Sequence, residues 1–556
     1  MKRLSLFFLS LLLISCNKLD LNPLSESSSE NFYSNQAELE MAVNDLYRLV
    51  FWGNDDEAYS DNHWQRSVGG NEITYGTMDA GSGIASTLWV NCYKPIARAN
   101  TFLANKDRAK NNTAESVLLR LEAEARLIRA YQYSRLITHF GDVPLLKTPV
   151  SLEESYKMTR TSRAEILTFL FAEFDWAAAQ LPVSYGAGEL KRLTKGAALA
   201  LKARTALYLG KWAEARDAAK AVIDLGAYQL HSSYTDLFLV SGETSKELII
   251  SIPRSQELSV FIDAGTVRDY ISRNAGGYGA QIPTWSLVDS YECTDGLPID
   301  QSPLYNPKKP FANRDPRMTM SIVEFGTPWL GFSYQPHPDS TQTFSYKTGK
   351  KVSNLDCRAV NTFASYTGFI WKKGIDQTWA DRLAADNDII LCRYAEILLT
   401  YAEAKTELGE IDASALNALN QVRARAYGVA VTATGSYPAV KTTDAVALRT
   451  VIRRERRVEL AREGLRYMDL IRWKIAEKAL ARPIVGFQDP NVLDRGKWPF
   501  AGAPVIDADG IPDYSALMGN IKSLAVTNFD KNRQYLWPIP ANERRVNPNL
   551  TQNSGY

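Results

Sequence analysis

Apolar residues follow a helical period over two long regions of this chain and lose it between them. In residues 117–140 they recur at the three- to four-residue spacing that places side chains on one helix face: Leu118, Leu121, Ala125 and Ile128. Gly141 and Pro144 follow, as residues that end helices do. The pattern predicts an amphipathic helix over 117–140.

Two further segments have the character of helical hairpins. Residues 194–210 and 211–224 are rich in alanine and leucine and are separated by only a short break at Gly210, which predicts an antiparallel pair. Residues 394–408 and 414–427 repeat this order around Gly409. The order of helix, Leu-Gly and Ala-rich helix resembles the tetratricopeptide repeat. We expect a mainly α fold, an imperfect array of such hairpins that includes 36–50 and 163–181.

A basic run, Arg-Arg-Glu-Arg-Arg at 453–457, lies within a helical pattern over 444–473. Acidic residues recur among these arginines at helical spacing, for example Glu459 before Arg462 and Glu463 before Arg466. Such a pattern favours an ion-paired, packed helix over a nucleic-acid patch. The chain has 64 lysines and arginines against 62 aspartates and glutamates, a net charge of +2. This charge gives no bulk electrostatic reason to expect binding of nucleic acid.

The middle of the chain is predicted to be rich in loops. Residues 251–386 contain turn clusters such as Asn-Ala-Gly-Gly at 274–277 and Asp-Gly-Leu-Pro at 295–298. We expect a helical scaffold over 36–250 that includes an early ligand loop at 51–90. A loop-rich insertion with short strands follows at 251–386, and the second part of the scaffold with a loop-rich tail at 387–556.

The N-terminus has the pattern of a secretory signal. Two basic residues precede the apolar stretch 4–14, which is shorter than the roughly 18 residues needed to span a bilayer. It ends in Leu-Ile-Ser before Cys16, a pattern that resembles a bacterial lipobox. We expect a signal peptide at 1–15, a lipidated Cys16 and a serine-rich tether to residue 35.

Common catalytic and metal-binding motifs are missing. The sequence has no HExxH, no GxSxG and no phosphate-binding GxxxxGK[ST]. The other cysteines form no CxxC pair, so we expect mostly buried or isolated thiols: Cys92, Cys293, Cys357 and Cys392. The acidic residues at 55–57 with Asp61 lack the spacing of an EF-hand, and we expect a solvated acidic loop there.

Aromatic residues make up 11% of the chain, and several lie in segments rich in Gly, Pro and Asn. A flat apolar ring beside Asn or Arg suits a sugar, which presents a C–H face and hydroxyl groups. Each ring is alternatively a core residue. The candidate ligand contacts are Trp64, Arg66, Trp89, Asn91, Tyr278, Tyr291 and Trp329.

Taken together, a set of motifs resembles the SusD/RagB family of outer-membrane lipoproteins of Bacteroidetes. They extend over nearly the whole chain: the lipobox with LDLNP at 19–23, EARLIRAY at 124–131, HFGDVPL at 139–145, LTKGAA at 193–198, YECTDG at 291–296, LCRYAEILL at 391–399, the segment 453–473, and YLWPIP at 535–540 before Asn547-Pro548.

The resemblance implies a tetratricopeptide-like scaffold and a protein that binds an oligosaccharide or polysaccharide. It also implies a lid for a SusC-like TonB-dependent transporter, anchored by lipid in the outer membrane and facing the cell exterior. We expect no catalytic residues, no cofactor and no metal. The sequence leaves two alternatives open, a surface carbohydrate-active enzyme and a repeat adaptor that binds a peptide or protein.

The candidate ligand contacts differ in how far the family resemblance supports them. In the family's type member, aromatic, Asn and Arg residues of the early loop and the central insertion hold the glycan. Trp89 and nearby Asn91 correspond to the early loop, and Tyr291 and Trp329 to the insertion by neighbourhood. Trp64, Arg66 and Tyr278 are chosen from loop composition alone, and Glu396, Arg454 and Glu455 are assigned to packing.

Overall fold

Helix caps and glycines set the ends of the long helices in this computed structural model, which describes residues 32–53, 56–66, 71–189 and 191–556. The hydroxyl groups of Ser162 and Thr194 accept the backbone N–H groups of Glu165 and Ala197 at helix N-termini. These bonds satisfy donors that the first turn of a helix leaves free.

The α-helices of the described residues are α1 Gln36–Asn44, α2 Gly83–Asn105, α3 Glu115–Phe140, α4 Leu152–Ser155, α5 Arg163–Gln180, α6 Lys195–Tyr208, α7 Trp212–Asp224, α8 Ala264–Tyr270, α9 Trp285–Ser290, α10 Arg317–Ser321, α11 Gln377–Arg382, α12 Tyr394–Glu407, α13 Ala413–Ala426, α14 Ala445–Glu459, α15 Arg466–Arg472, α16 Ala476–Ala479 and α17 Ala541–Val546.

The strands are short: β1 His63–Gln65, β2 Leu248–Ile252, β3 Gln281–Pro283, β4 Pro328–Trp329, β5 Phe332–Ser333, β6 Gln342–Ser345, β7 Lys350–Ser353, β8 Ile389–Arg393, β9 Pro483–Gly486, β10 Val505–Ile506, β11 Pro512–Asp513 and β12 Lys522–Val526. Four two-stranded ribbons pair β1 with β3, β2 with β8, β9 with β12 and β10 with β11, and β4 to β7 form one four-stranded sheet. All pairs are antiparallel.

The mainly helical fold with tetratricopeptide-like hairpins is confirmed. Helices α6 and α7 pack against each other, as do α12 and α13. The turns use Gly210 and Gly409, whose φ angles are +67° and +72°, a region in which residues with a Cβ are strained. The four cysteines of the described residues are buried thiols, as expected.

The hydrophobic interior has two main parts. The larger one lies among the scaffold helices. The second is formed by insertion residues such as Trp285 and Trp371, together with Phe487 and Phe500. The tail after α16 therefore packs on the insertion as well as on the scaffold, which the sequence did not indicate. Strands β2 and β8 pair, so the chain leaves the scaffold and returns to it at one place.

Helix α14 is an ion-paired, packed helix, as the charge pattern predicts, but its partners are not the predicted ones. The Glu459 carboxylate, fully buried, accepts from Arg317 at 2.9 Å, from Arg393 at 2.7 Å and from Arg425. Burial raises the pKa of Glu459, but the three guanidinium groups outweigh it and hold the pKa below its usual range. Neutralisation comes from three distant segments of the chain, not from Arg462 one turn away.

The continuous helix expected over 444–473 is interrupted. Helix α14 ends at Glu459 and α15 begins at Arg466. Arg462 and Gly464 between them have φ angles of +62° and +72°, which an α-helix does not allow. Glu463 and Arg466 do not pair either, because Glu463 bonds to Arg393 and Lys373 and Arg466 bonds to Asp61.

The expected signal peptide, Cys16 and most of the tether lie outside the described residues. Within the residues the structure covers, none of the helices has the length and apolar character needed to cross a membrane.

We expect Glu459→Gln to be strongly destabilising. The amide cannot neutralise three buried arginines, and breaking a buried ion pair costs about 3–5 kcal/mol. A urea titration followed by circular dichroism should show a lower midpoint than wild type. Glu153→Gln, which removes an exposed partner of Lys157, should change the stability by about 0.5 kcal/mol or less. Equal midpoints for the two variants would contradict this account.

Candidate functional site

The ribbon of β1 and β3 separates two surfaces that carry candidate ligand contacts. Gln65 lies opposite Gln281, and Trp64 lies opposite Ile282. Since side chains alternate along a strand, His63 and Gln65 face one side, where they line a cleft. Trp64 and Arg66 face the other side, where Tyr366 lies over a third, smaller hydrophobic cluster. This cluster consists of Trp64, Ile282, Val323, Tyr334 and Ile370.

The cleft has a first lobe of about 580 Å³ between the early loop, the insertion and the segment that joins α14 to α15. Its walls carry both aromatic rings and amides, notably Tyr270, Trp379, Gln65, Gln281 and Asn387. A second lobe of about 710 Å³ includes Asn91 and Trp537. Both lobes share the same three residues, Tyr59, Arg254 and Ile389, so they are neighbouring parts of one concave surface.

The interruption between α14 and α15 forms the floor of the first lobe. It turns Arg462 into the cleft, where its guanidinium carbon lies 4.5 Å from the ring centre of Tyr270, 5.8 Å from Trp379 and 5.9 Å from Trp371. The guanidinium also donates to the carbonyl of Lys373. Burial is the main cause that lowers the pKa of Arg462. Cation–π contacts hold this side chain in place.

Internal hydrogen bonds fix the polar groups of the first lobe. Trp379 donates to Asn387 at 3.1 Å, and Asn387 donates to the carbonyl of Phe238 at 3.0 Å. Side chains that are already oriented lose little entropy when a ligand binds. The lobe is therefore preorganised.

His63 at the wall of this lobe is a neutral imidazole at neutral pH. Burial lowers its pKa to about 4. The indole N–H of Trp371 donates to Nδ1 at 3.3 Å, so Nε2 carries the proton and donates to the amide oxygen of Gln281. This bond orients the Gln281 side chain at the cleft wall.

Two of the acidic residues of the early loop, Glu57 and Asp61, are buried and not solvated, contrary to the expectation; Asp55 and the side chain of Asp56 lie outside what the structure describes. Glu57 and Asp61 are 9% and 4% exposed. Burial raises the pKa of Asp61, but Arg457 and Arg466, each 2.8 Å away, lower it to about 2. Glu57 accepts from Asn62 and from the backbone of Gly464. These carboxylates tie the early loop to the segment after α14.

Behind the ribbon, an arginine–aromatic surface consists of Arg66, Arg273, Tyr278, Phe363 and Tyr366. Arg66 donates to the carbonyl of Tyr278 at 3.3 Å and lies 5.6 Å from the ring centre of Phe363. Tyr278 is 44% exposed and Phe363 58% exposed. The structure thus brings together Arg66 and Tyr278, two of the residues expected from sequence.

Trp64 and Trp329 share one hydrophobic cluster. Trp64 is 6% exposed, belongs to the third hydrophobic cluster and has its ring centre 6.2 Å from that of Tyr366. Trp329 packs partly buried against the same cluster. Trp64 thus supports the surface from below, and its ring offers little area to a ligand.

Trp89 and Tyr291, which are also expected from the sequence to contact a ligand, lie elsewhere, and both are buried. Trp89 is 4% exposed, and its ring centre is 5.2 Å from that of Phe140. Because 89 and 91 are about 200° apart on α2, Asn91 reaches the second lobe while Trp89 borders a separate apolar groove. Tyr291 is fully buried in the insertion core.

Sequence reasoning missed Tyr270, Trp379 and Arg462. Tyr270 and Trp379 are aromatic residues of the loop-rich insertion, and composition alone does not distinguish them from the other aromatic residues of that segment. Gly464 was a signal for Arg462, because glycine within a helical pattern marks a possible end.

Comparisons with family models, curated proteins and solved structures all find SusD-like proteins. The model of the SusD family matches residues 259–556, and a model described as starch-binding associating with outer membrane matches residues 23–209. A SusD-like carbohydrate-binding protein from Bacteroides fragilis is 30% identical, covering 94% of this chain and 100% of its own, with a TM-score of 0.78. SusD-like protein P2 from Formosa agariphila is 25% identical over 584 residues and covers 100% of both chains.

The burial of these residues predicts different consequences for two aromatic truncations. Trp89→Ala should destabilise the protein by about 3–5 kcal/mol, as core aromatic truncations do. Tyr278→Ala, at an exposed ring, should change stability by about 0.5 kcal/mol or less. Urea unfolding of both variants measures this difference. A Trp89→Ala protein as stable as wild type would mean that this ring is not part of the core.

Proposed function

Since this chain belongs to the SusD family, we propose that it is a non-catalytic protein that captures an oligosaccharide in the cleft. The observation that carries the proposal is the first lobe, in which aromatic rings and preoriented amides line one concave wall. Rings stack on the C–H faces of sugars, and amides both donate to and accept from hydroxyl groups. The carbohydrate-binding relative from Bacteroides fragilis supports the same ligand class.

The carboxylates of the first lobe favour binding over hydrolysis. Glycoside hydrolysis needs one carboxylic acid and one carboxylate free to act on the substrate. Here Glu463 is bonded to Lys373 and Arg393, Asp388 to Lys191, and Glu57 to Asn62. Each of these carboxylates therefore makes a structural bond within the protein and is not free to act on a substrate.

Ligand contacts expected from the sequence fall into two groups in this proposal. Asn91 belongs to the second lobe of the cleft. Arg66 and Tyr278 belong to the arginine–aromatic surface, Trp64 supports it, and Trp329 packs against the same hydrophobic cluster as Trp64.

We further propose that Cys16 carries the lipid anchor and that the protein faces the cell exterior as the lid of a SusC-like TonB-dependent transporter. The lipobox-like pattern before Cys16 supports the anchor. The family description that names association with the outer membrane supports the location.

Tyr270→Ala tests the cleft. Loss of a ring contact should weaken oligosaccharide binding by about 0.5–1.5 kcal/mol, roughly two- to tenfold in Kd. A glycan array on the wild-type protein identifies the ligand, and calorimetry measures its Kd. Tyr346→Ala removes a 50% exposed ring on the β6–β7 hairpin and should leave Kd unchanged.

Three outcomes would overturn this proposal. Equal Kd values for Tyr270→Ala and wild type would exclude the cleft as the binding site. Release of shorter oligosaccharides from the ligand would establish an enzyme. Binding of a peptide with no glycan bound on the array would establish an adaptor.

Cys16→Ser tests the anchor. The serine hydroxyl is not a substrate for thioether lipidation, and stable membrane attachment requires two or more acyl chains. We expect the variant in the soluble fraction and wild type in the outer-membrane fraction, detected by immunoblot after fractionation. Retention of the variant in the membrane would show that another contact holds the protein there.

A further inference from the structure

We propose that the arginine–aromatic surface binds an anionic group of the carbohydrate ligand, a uronate carboxylate or a sulfate ester. This inference rests on the proposed carbohydrate-binding function and adds the charge of the ligand to it. Carboxylate and sulfate share the feature that matters, an oxyanion that accepts charge-assisted hydrogen bonds from guanidinium groups.

Two guanidinium groups converge on one exposed ring. Their central carbons lie 5.6 Å (Arg66) and 5.9 Å (Arg273) from the ring centre of Phe363. Arg273 donates through Nε to the carbonyl of Phe363 at 2.7 Å, and Arg66 donates through Nη2 to that of Tyr278. Arg66 Nε is buried and has no acceptor among the described residues.

Neither arginine has a carboxylate within ion-pair distance in the part of the chain that the structure describes. Burial is the main cause that lowers the pKa of Arg273, and the positive charge of Arg66 is the second. Asp356 is near, but its two oxygens accept the backbone N–H groups of Arg273 and Asn274. Asp269 interacts with Arg66 only electrostatically. Two like charges held together at a surface repel each other, and an oxyanion would remove that cost.

The exposed rings add a surface for the sugar itself. Tyr278 and Phe363 are 44% and 58% exposed, and Tyr366 lies between Arg66 at 5.5 Å and Arg358 at 4.7 Å. Arg358 is already neutralised by Asp489 at 2.8 Å. Flat apolar faces beside guanidinium groups that make no ion pair among the described residues match an acidic pyranose, which has an apolar C–H face and a charged substituent.

Two of the segments that carry this surface, 273–278 and 353–366, are joined by hydrogen bonds. Besides the bonds to Asp356, Asn274 donates to the carbonyl of Ser353 at 2.9 Å and accepts from the backbone of Asp356 at 3.2 Å. The side chain of Asn361 accepts the backbone N–H of Phe363 at 3.0 Å. The arginines therefore project from a fixed frame, which lowers the entropic cost of binding.

The surface borders the cleft across a single ribbon. Arg66 follows Gln65, which lines the first lobe, and the backbone N–H of Arg66 donates to Ala280, next to Gln281. Cα atoms of consecutive residues are about 3.8 Å apart. An oligosaccharide longer than the lobe thus reaches the arginines by crossing the ribbon edge.

The test compares three tetrasaccharides on the purified full chain by calorimetry: one of galacturonic acid, one of sulfated galactose and one of neutral galactose. We expect at least one acidic tetrasaccharide to bind roughly three- to tenfold more tightly than the neutral one, the range of a charge-assisted bond reduced by exposure. This preference should shrink between 50 and 500 mM NaCl, because salt screens exposed charges. The acidic ligand that shows it identifies the anionic group.

Arg66→Gln, Arg273→Gln and the double variant should lose that preference, because the guanidinium groups that favour the acidic ligands are removed. Arg216→Gln on α7, which makes the same charge change outside this surface beside Glu410, should keep the preference. Arg66→Lys retains the positive charge but lacks the planar guanidinium group, and it should lose part of the preference for the acidic tetrasaccharide. The salt dependence of wild type gives a reading that does not depend on how any variant folds.

A double variant that keeps the acidic preference would overturn this inference alone, as would neutral binding with no acidic preference in wild type. Loss of transporter co-purification in the double variant, with unchanged binding of all three tetrasaccharides, would assign the surface to a protein partner. If wild type binds none of these tetrasaccharides and no glycan on an array, the proposed carbohydrate-binding function fails, and the inference fails with it.

Discussion

Neutralisation of the buried Glu459 carboxylate is the constraint on which the rest of the structure depends. Its three arginines come from different segments: Arg317 from the insertion, Arg393 from the end of β8 and Arg425 from α13. An ion transferred from water to a protein interior without partners costs several kcal/mol. Arg393 and Arg425 belong to the same part of the scaffold as Glu459, whereas Arg317 reaches it only when the insertion is docked, so the bond to Arg317 favours the docked arrangement.

The same network leads directly to the cleft. Helix α14 ends at Glu459, and within five residues the chain passes through Arg462 and Gly464, both with positive φ. Glu463 between them bridges Arg393 of the network and Lys373 of the cleft wall. Strained backbone persists where surrounding contacts over-determine it. Here buried ion pairs hold both ends of the strained segment, and Arg462 is directed towards the rings of the insertion.

The sequence predicts the helical scaffold because each hairpin is local: apolar period, turn glycine and small residues all lie within about thirty positions. The site is not local. Arg66 and Tyr278 are 212 positions apart, and which side of β1 faces the cleft depends on its pairing with β3. Trp89 is buried because α2 packs on α3, and this packing is not revealed by the correspondence of Trp89 to an aromatic residue of the family's early loop. The helical pattern over 444–473 predicts an ion pair for Arg462, and the backbone turn at Arg462 and Gly464 prevents it.

A cleft shared by segments that an ionic network holds together couples ligand binding to docking. A ligand that contacts Gln65 of the early loop, Tyr270 of the insertion and Arg462 after α14 binds only while all three are in place. By mass action such a ligand stabilises the docked form by about 2.7 kcal/mol at a concentration one hundred times Kd, comparable to the cost of breaking one buried ion pair. The ionic network thus preorganises the cleft before the ligand arrives, and the bound ligand in turn reinforces the docking on which the cleft depends.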